Sequence, residues 1–173
     1  MNHKCIKVGP IRTNCYILEK DDKVIVIDPG DEYNKIRDAI GDNEVLGVFV
    51  THHHYDHVDA LMYFDDKIIY DFSNLEEGIH KIGPFEFEVI YTPGHKEDCI
   101  TLYFIEEKMM FTGDFLFYNT IGRTDLPGSN MDEMIDSLIR ISKYPANIEI
   151  YPGHGRSSIL GNEIENNKMY TEK

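Results

Sequence analysis

Short apolar runs broken by polar or glycine-bearing steps recur along the whole chain and predict a strand-rich fold. Residues 4–8, 14–19 and 23–28 read as three short strands. Gly9-Pro10 separates the first from the second, and Lys20-Asp21-Asp22 makes a polar turn before Val24-Ile25-Val26-Ile27. A helix is predicted from Asp31 to Ile40, with Tyr33, Ile36 and Ile40 on one face and Gly41 as its stop. Val45-Leu46-Gly47-Val48-Phe49-Val50 then reads as a buried strand, rich in β-branched residues and free of charge. Strand, helix, strand is the unit from which α/β folds are layered.

Downstream, a short helix is expected over 58–64 and a short strand over 67–70, while 73–81 carries no clear period. Phe85-Glu86-Phe87-Glu88-Val89 alternates as a half-buried strand does. Strands over 100–105 and 108–112 follow, with Glu106-Glu107 as their hairpin turn. Gly, Pro and Asn mark 118–129 as a loop. After it Asn130 caps a helix whose first turn carries Asp132 and Glu133 and whose apolar face comprises Met131, Met134, Ile135 and Leu138; Pro145 stops it. A last strand, Ile148 to Tyr151, leads into Pro152-Gly153-His154-Gly155 and a polar tail over 158–173, helical at its start. With no repeat or linker, the 173 residues read as one domain, long enough to bury a core without staples.

Charge narrows the partners. Seventeen basic against 31 acidic side chains leave a net charge of −14, which argues against a surface made for nucleic acid or anionic lipid. Cys5, Cys15 and Cys99 are sparse and form no CxxC pair, as expected of reduced thiols in the cytoplasm. The first residues lack the apolar stretch of a signal peptide, and no run approaches the roughly 18 residues of a membrane span. A cytoplasmic protein acting on a small molecule is the expectation, and the pattern leaves its oligomeric state open.

The candidate chemistry lies in the histidines. His52, His54, Asp56 and His57 directly follow the strand at 45–50; His95 and His154 each end a Pro-Gly-His step after a strand; Asp114 ends Phe111-Thr112-Gly113-Asp114. Imidazole and carboxylate are ligands for zinc, iron and manganese. Glycine at three of these steps permits close approach, and ligands gathered at strand carboxyl ends are how open α/β sheets build sites. One histidine after a strand more often caps it or faces solvent; five of them with two aspartates do not. Seven groups are too many for one four-coordinate ion and suit two ions sharing a carboxylate, an arrangement that activates water for hydrolysis. His3 and His80 read as surface residues, and His53 points away from its neighbours. Asp28 reads equally as a turn residue or as a buried acceptor that holds a ligand histidine.

On these residues the chain resembles the metallo-β-lactamase superfamily. Thr51-His-His-His-Tyr-Asp-His57 is similar to its HxHxDH signature, His95, Asp114 and His154 to its later ligands in order, and Ile27-Asp28-Pro29-Gly30 to its early aspartate. The resemblance implies a four-layer αββα sandwich of the α/β class (α+β by some schemes), with the metals at one edge. It implies that His52, His54 and His95 hold one metal, that Asp56, His57 and His154 hold the other, and that Asp114 bridges them. The expected cofactor is two divalent ions per chain, zinc first, iron or manganese as variants.

Within that superfamily Phe111–Phe117, Ile121-Gly-Arg-Thr-Asp-Leu-Pro127 and Tyr151–Gly155 look most like the short glyoxalase II-like hydrolases. The implied reaction is hydrolysis of a thioester, such as S-D-lactoylglutathione, by a metal-bridging hydroxide, with Asp56 orienting it and taking a proton. Two features depart from full-length glyoxalase II. Few residues follow His154, where a helical glutathione-binding domain would stand, and Lys96-Glu97-Asp98-Cys99 replaces small residues after His95. Arg123 either contacts an anionic substrate or pairs with Asp125, the pairing being favoured, and Tyr118 and Tyr55 are candidates to line the substrate cleft. The rival enzyme is similar to a persulfide dioxygenase, with one iron on His52, His95 and Asp114; a non-catalytic metal-stabilised binding domain is the other alternative.

Overall fold

A computed structural model describes residues 1–171; Glu172 and Lys173, the end of the polar tail, lie outside the described residues. In chain order the elements are β1 (Asn2–Val8), β2 (Thr13–Lys20), β3 (Lys23–Ile27), α1 (Tyr33–Ile40), β4 (Glu44–Phe49), α2 (Tyr55–Val58), β5 (Ile69–Tyr70), β6 (Gly78–Ile82), β7 (Phe85–Tyr91), β8 (Ile100–Phe104), β9 (Met109–Gly113), β10 (Leu116–Phe117), β11 (Thr120–Ile121), α3 (Met131–Ile141), β12 (Glu149–Pro152), β13 (Ser158–Ile159), α4 (Leu160–Asn166) and α5 (Lys168–Thr171). One sheet has the order β1-β2-β3-β4-β5 and the other β13-β12-β9-β8-β7-β6, with β10-β11 as a separate hairpin. Turns or loops join the antiparallel neighbours, whereas the parallel pairs β3/β4, β4/β5 and β9/β12 need crossovers, supplied by α1, by α2 with the 3-10 turns after it, and by α3.

Alternation sends each strand's side chains to two different packing layers. From β2 and β3, Tyr16, Leu18, Ile25 and Ile27 meet Phe87, Leu102, Phe104 and Phe111 of the second sheet between the two. The intervening residues Ile17, Val24 and Val26 instead face Ile36 and Ile40 of α1. On the far side, Ile90, Tyr103, Met110 and Ile150 face Met134, Leu138 and Ile141 of α3 and Leu160 of α4. Three apolar interfaces between four layers make an αββα sandwich. Phe111 is fully buried among the rings of Tyr16, Phe104 and Tyr151, and burial of a side chain of that size contributes roughly 1.5–3 kcal/mol. Among the described residues no helix is long and apolar enough to cross a membrane.

Four local features depart from the sequence pattern. Helix α1 begins at Tyr33 rather than Asp31, because Glu32 takes a left-handed conformation at φ 50°. The helix expected over 58–64 lies earlier, at Tyr55–Val58, with a separate 3-10 turn at Leu61–Tyr63; the Ala60 N–H between them is drawn off to the Pro29 carbonyl at 3.0 Å. The loop over 118–129 opens inside the β10–β11 hairpin. Helix α3 buries Met134, Ser137, Leu138 and Ile141, leaving Met131 and Ile135 about two-fifths exposed. Its rotation is set by the Ser137 hydroxyl, which donates to the Pro93 carbonyl at 2.8 Å, and by Gly94, where a Cβ would stand 2.5 Å from Met134 Cα. Asn130 does cap it, accepting from the N–H groups of Asp132 (2.9 Å) and Glu133 (3.3 Å), and the Asn130 N–H donates to the Gly94 carbonyl.

Candidate metal centre

Strands β3, β4, β7, β9 and β12 end at one edge of the sandwich, and the loop after each delivers a polar side chain there. Asp28 follows β3, His52 and His54 follow β4, His95 follows β7, Asp114 follows β9 and His154 follows β12. The single turn α2 carries Asp56 and His57, whose ligand atoms approach to 3.3 Å. All seven candidate ligands converge in two adjoining groups. His52 Nε2 and His95 Nε2 lie 3.0 and 2.9 Å from His54 Nδ1. Asp56 Oδ2 stands 3.3 Å from His57 Nε2 and 3.1 Å from His154 Nε2. Asp114 lies between them, with Oδ1 at 3.4 Å from His57 Nε2, and Oδ2 at 3.5 Å from His154 Nε2 and 3.8 Å from His95 Nε2. Ligand-type atoms of His52, His57 and Asp114 also cluster, so the two groups share a wall.

Partners behind the rings aim them. His57 Nδ1 donates to Asp28 Oδ2 at 2.9 Å, and the same carboxylate accepts from the Thr51 N–H (2.8 Å) and hydroxyl (2.7 Å). His95 Nδ1 donates to the Arg123 carbonyl at 2.8 Å, and the Thr13 hydroxyl donates to Asp56 Oδ2 at 2.7 Å. Asp28 is therefore the buried acceptor, not a plain turn residue. Such contacts select the tautomer that leaves the other nitrogen as a ligand.

Burial, with repulsion from His57, His95 and His54, holds the His52 pKa well below its ordinary value; burial and His95 lower that of His54. Both therefore present neutral rings. Burial opposes charge on His57, but Asp28, Asp114 and Asp56 outweigh it and raise its pKa. Burial likewise works against the charge of Asp56, yet His154, His57 and Thr13 hold its pKa far below the usual carboxylate range; Asp114 is lowered mainly by His57 against the same burial.

The donor set fits divalent metal. His57 Nε2 and Asp114 Oδ1 are buried and have no hydrogen-bond partner among the described residues, although they face each other. An orphaned buried polar atom costs about 1–3 kcal/mol, and an ion ligated by both would remove that cost. The nitrogen and oxygen chemistry suits zinc, iron or manganese.

The family model described as the metallo-beta-lactamase superfamily matches residues 8–71 and 66–154. The chain belongs to the metallo-β-lactamase superfamily. With that membership comes its coarse class, a metal-dependent hydrolase whose fold implies divalent-metal binding. The chain is 31% identical to "Hydroxyacylglutathione hydrolase GloC" of Haemophilus influenzae over the full length of both proteins. Among solved structures it superposes on the B3 metallo-β-lactamase BLEG-1 with a TM-score of 0.93 at 28% identity, covering 98% of this chain and 100% of that one. TTHA1623, solved in a di-iron-bound form, matches at TM-score 0.86 and 28% identity over 95% and 98% of the two chains.

In this superfamily member the remaining candidates divide clearly. Beside the candidate metal centre, a pocket of about 390 Å³ is lined by Phe117, Tyr118, Thr120, His154, Gly155 and Arg156. Tyr118 thus borders the site, while Tyr55 is 60% exposed and is absent from this lining. The Arg123 side chain pairs bidentately with Asp125 at 2.9 and 3.0 Å and only its carbonyl serves His95. His53 turns outward to Asp98 and Asp71. Thr13, the Arg123 carbonyl and Arg156 were missed in the sequence: a hydroxyl opening a strand, a backbone oxygen and a lone surface arginine carry no local signal.

Proposed function

We propose that the protein hydrolyses small acyl thioesters with two divalent ions, one held by His52, His54 and His95, the other by Asp56, His57 and His154, and Asp114 shared between them. The observation that carries the two-metal reading is the pair of ligand groups joined at Asp114. The thioester class is supported by the full-length relative named a hydroxyacylglutathione hydrolase, and S-D-lactoylglutathione is the first substrate to try. Bound ions would supply a water ionised near neutral pH and Lewis-acid stabilisation of the developing oxyanion.

The chain's own groups do the rest. Neutral His52 and His54 offer lone pairs, and Asp28 keeps His57 turned inward. Asp56, anchored by Thr13, stays ionised and is the group suited to orient a water and accept its proton. The pocket beside His154 receives one half of the substrate. A thiol leaves readily as thiolate, its pKa being about 8.5, so no strong general acid is needed. The acidic surface and reduced-thiol composition support a small-molecule substrate and a cytoplasmic setting.

Anaerobic purification, metal analysis and a thiol-release assay on a thioester panel test this. About two ions per chain with thiol release is the expected result. One iron per chain, oxygen uptake and no thiol release would overturn it in favour of a dioxygenase. In the Asp56→Ala variant, turnover and metal content should fall together; full activity would remove Asp56 from the site.

A further inference from the structure

We infer that Arg156, stacked over Tyr118 at the pocket beside His154, gives the enzyme a preference for substrates bearing a carboxylate. This rests on the thioester reading above and names its substrate class.

Arg156 stands two residues beyond His154, on the loop that leaves β12, and is exposed at the lining of the pocket. Its guanidinium carbon lies 3.5 Å from the centroid of the Tyr118 ring. Stacking uses the face of the guanidinium and leaves its edge, with the N–H donors, available for a planar anion. Among the described residues Arg156 makes no ion pair, whereas Arg123 and Arg140 are engaged by Asp125 and Glu77. The chain as a whole, with its net charge of −14, repels an anionic ligand, and Arg156 is a cation at this pocket that offsets the repulsion locally.

The wall that carries Tyr118 is held in place. Asn119 turns the β10–β11 hairpin at φ 58°, and its N–H donates at 2.8 Å to Glu163 Oε2, a carboxylate buried at 0% exposure. Ser158 donates its hydroxyl to the other oxygen of Glu163. Asn167 Nδ2 donates to the Thr120 carbonyl and to Glu163 Oε2, both at 3.1 Å. A hairpin backbone held on both sides of its turn limits where Tyr118, and the guanidinium resting on it, can move, which reduces the ordering a substrate must impose. The reaction adds water across the thioester, breaking the carbonyl–sulfur bond to give a carboxylic acid and a thiol. The recognised carboxylate is a separate group on either half of the substrate.

The test uses metal-loaded wild type, Arg156→Met, which keeps an apolar stem over Tyr118 without charge, and Arg156→Lys, which keeps the charge without the planar fork. Two pairs of substrates place the carboxylate on either half: S-acetyl-3-mercaptopropionate against its amide, and the succinyl thioester of 2-mercaptoethanol against its amide. In at least one pair the wild type should favour the acid about tenfold in kcat/KM, mainly through KM. That ratio should fall to near one in Arg156→Met and be partly kept in Arg156→Lys. The pair that responds identifies which half lies against Arg156. Calorimetric titration with 3-mercaptopropionate, with succinate and with the amide of each separates the two readings. If no thioester is cleaved yet either acid binds better than its amide only when Arg156 is present, the thioester reading fails and the role of Arg156 stands. Equal acid and amide behaviour in wild type by both methods, or a preference that survives in Arg156→Met, overturns the inference.

Discussion

Asp28 shows how much one residue at a strand end can coordinate. Its φ of 54° lies in the left-handed region, where aspartate is one of the few residues that sit without glycine's freedom. That turn brings the carboxylate under the adjacent strand end, where it ties the Thr51 N–H and hydroxyl to His57. Replacing it with alanine leaves three buried donors without their acceptor. Asp28→Ala should lower metal affinity 10- to 100-fold, as losses behind a ligand histidine do, with Asp28→Asn intermediate because it keeps one acceptor oxygen and tolerates the backbone. Competition against a calibrated chelator measures this. Unchanged affinity in Asp28→Ala would mean that His57 needs no support.

Loops and strands supply constraints that single residues do not. The β4–α2 loop and the β7–β8 loop are clamped where Asp98 accepts from His53 Nδ1 at 2.8 Å and from the His53 N–H at 3.1 Å, with Lys96 2.9 Å from its other oxygen. Burial opposes the Asp98 charge, but His53 and Lys96 hold its pKa at about 2; the hydrogen bond to Asp98 raises that of His53 despite burial. A depressed carboxylate contributes stability above its unfolded pKa of about 3.9 that is lost as pH falls toward 2. A raised histidine contributes stability that is full below about 6.5 and is lost as pH rises through its folded value. Asp98→Asn should therefore be destabilised most between about pH 4 and 6.5, by about 2 kcal/mol, with the gap closing at lower pH and narrowing above 6.5. Urea melts across pH follow the gap; a flat difference would rule the clamp out as an ionic one. The β12 end is constrained by space. A methyl at Gly153 would stand 2.3 Å from Asp114 Oδ1 and 2.6 Å from His57 Cε1. Gly153→Ala should push these candidate ligands apart, so that its Tm responds little to a chelator that lowers the wild-type Tm.

At the scale of the whole molecule, the sandwich edge concentrates rings and carboxylates that metal would hold together. An ion present at a hundred times its dissociation constant stabilises the folded state by about 2.7 kcal/mol. For a chain of this size that corresponds to roughly 5–10 °C in Tm per independent site. Chelation should lower Tm by at least that amount in a calorimetric scan and restoring metal should reverse it; no shift would deny the site a metal in solution.

Much of this was legible because it is local. Apolar runs such as Val24–Ile27 and Val45–Val50 marked strands, and the spacing of His52, His54, Asp56 and His57 on a loop and a helical turn brought four donors to one place without long-range information. Glycine before His95, Asp114 and His154 likewise signalled close approach in the sequence itself. Other features depended on neighbours distant in the chain. Met131 and Ile135 are as apolar as Met134 and Leu138, yet Pro93 and Gly94 decided which pair α3 would bury. Thr13 and the Arg123 carbonyl joined the site only because two sheets and a long loop meet there. The sequence by itself determined the donors, their spacing and most of the strands and helices, since residue chemistry and hydrophobic period are local properties; the four-layer arrangement was reached only through the family resemblance. Packing alone decided which partners aim those donors and where Arg156 rests, since both depend on surfaces that meet only when the four layers assemble.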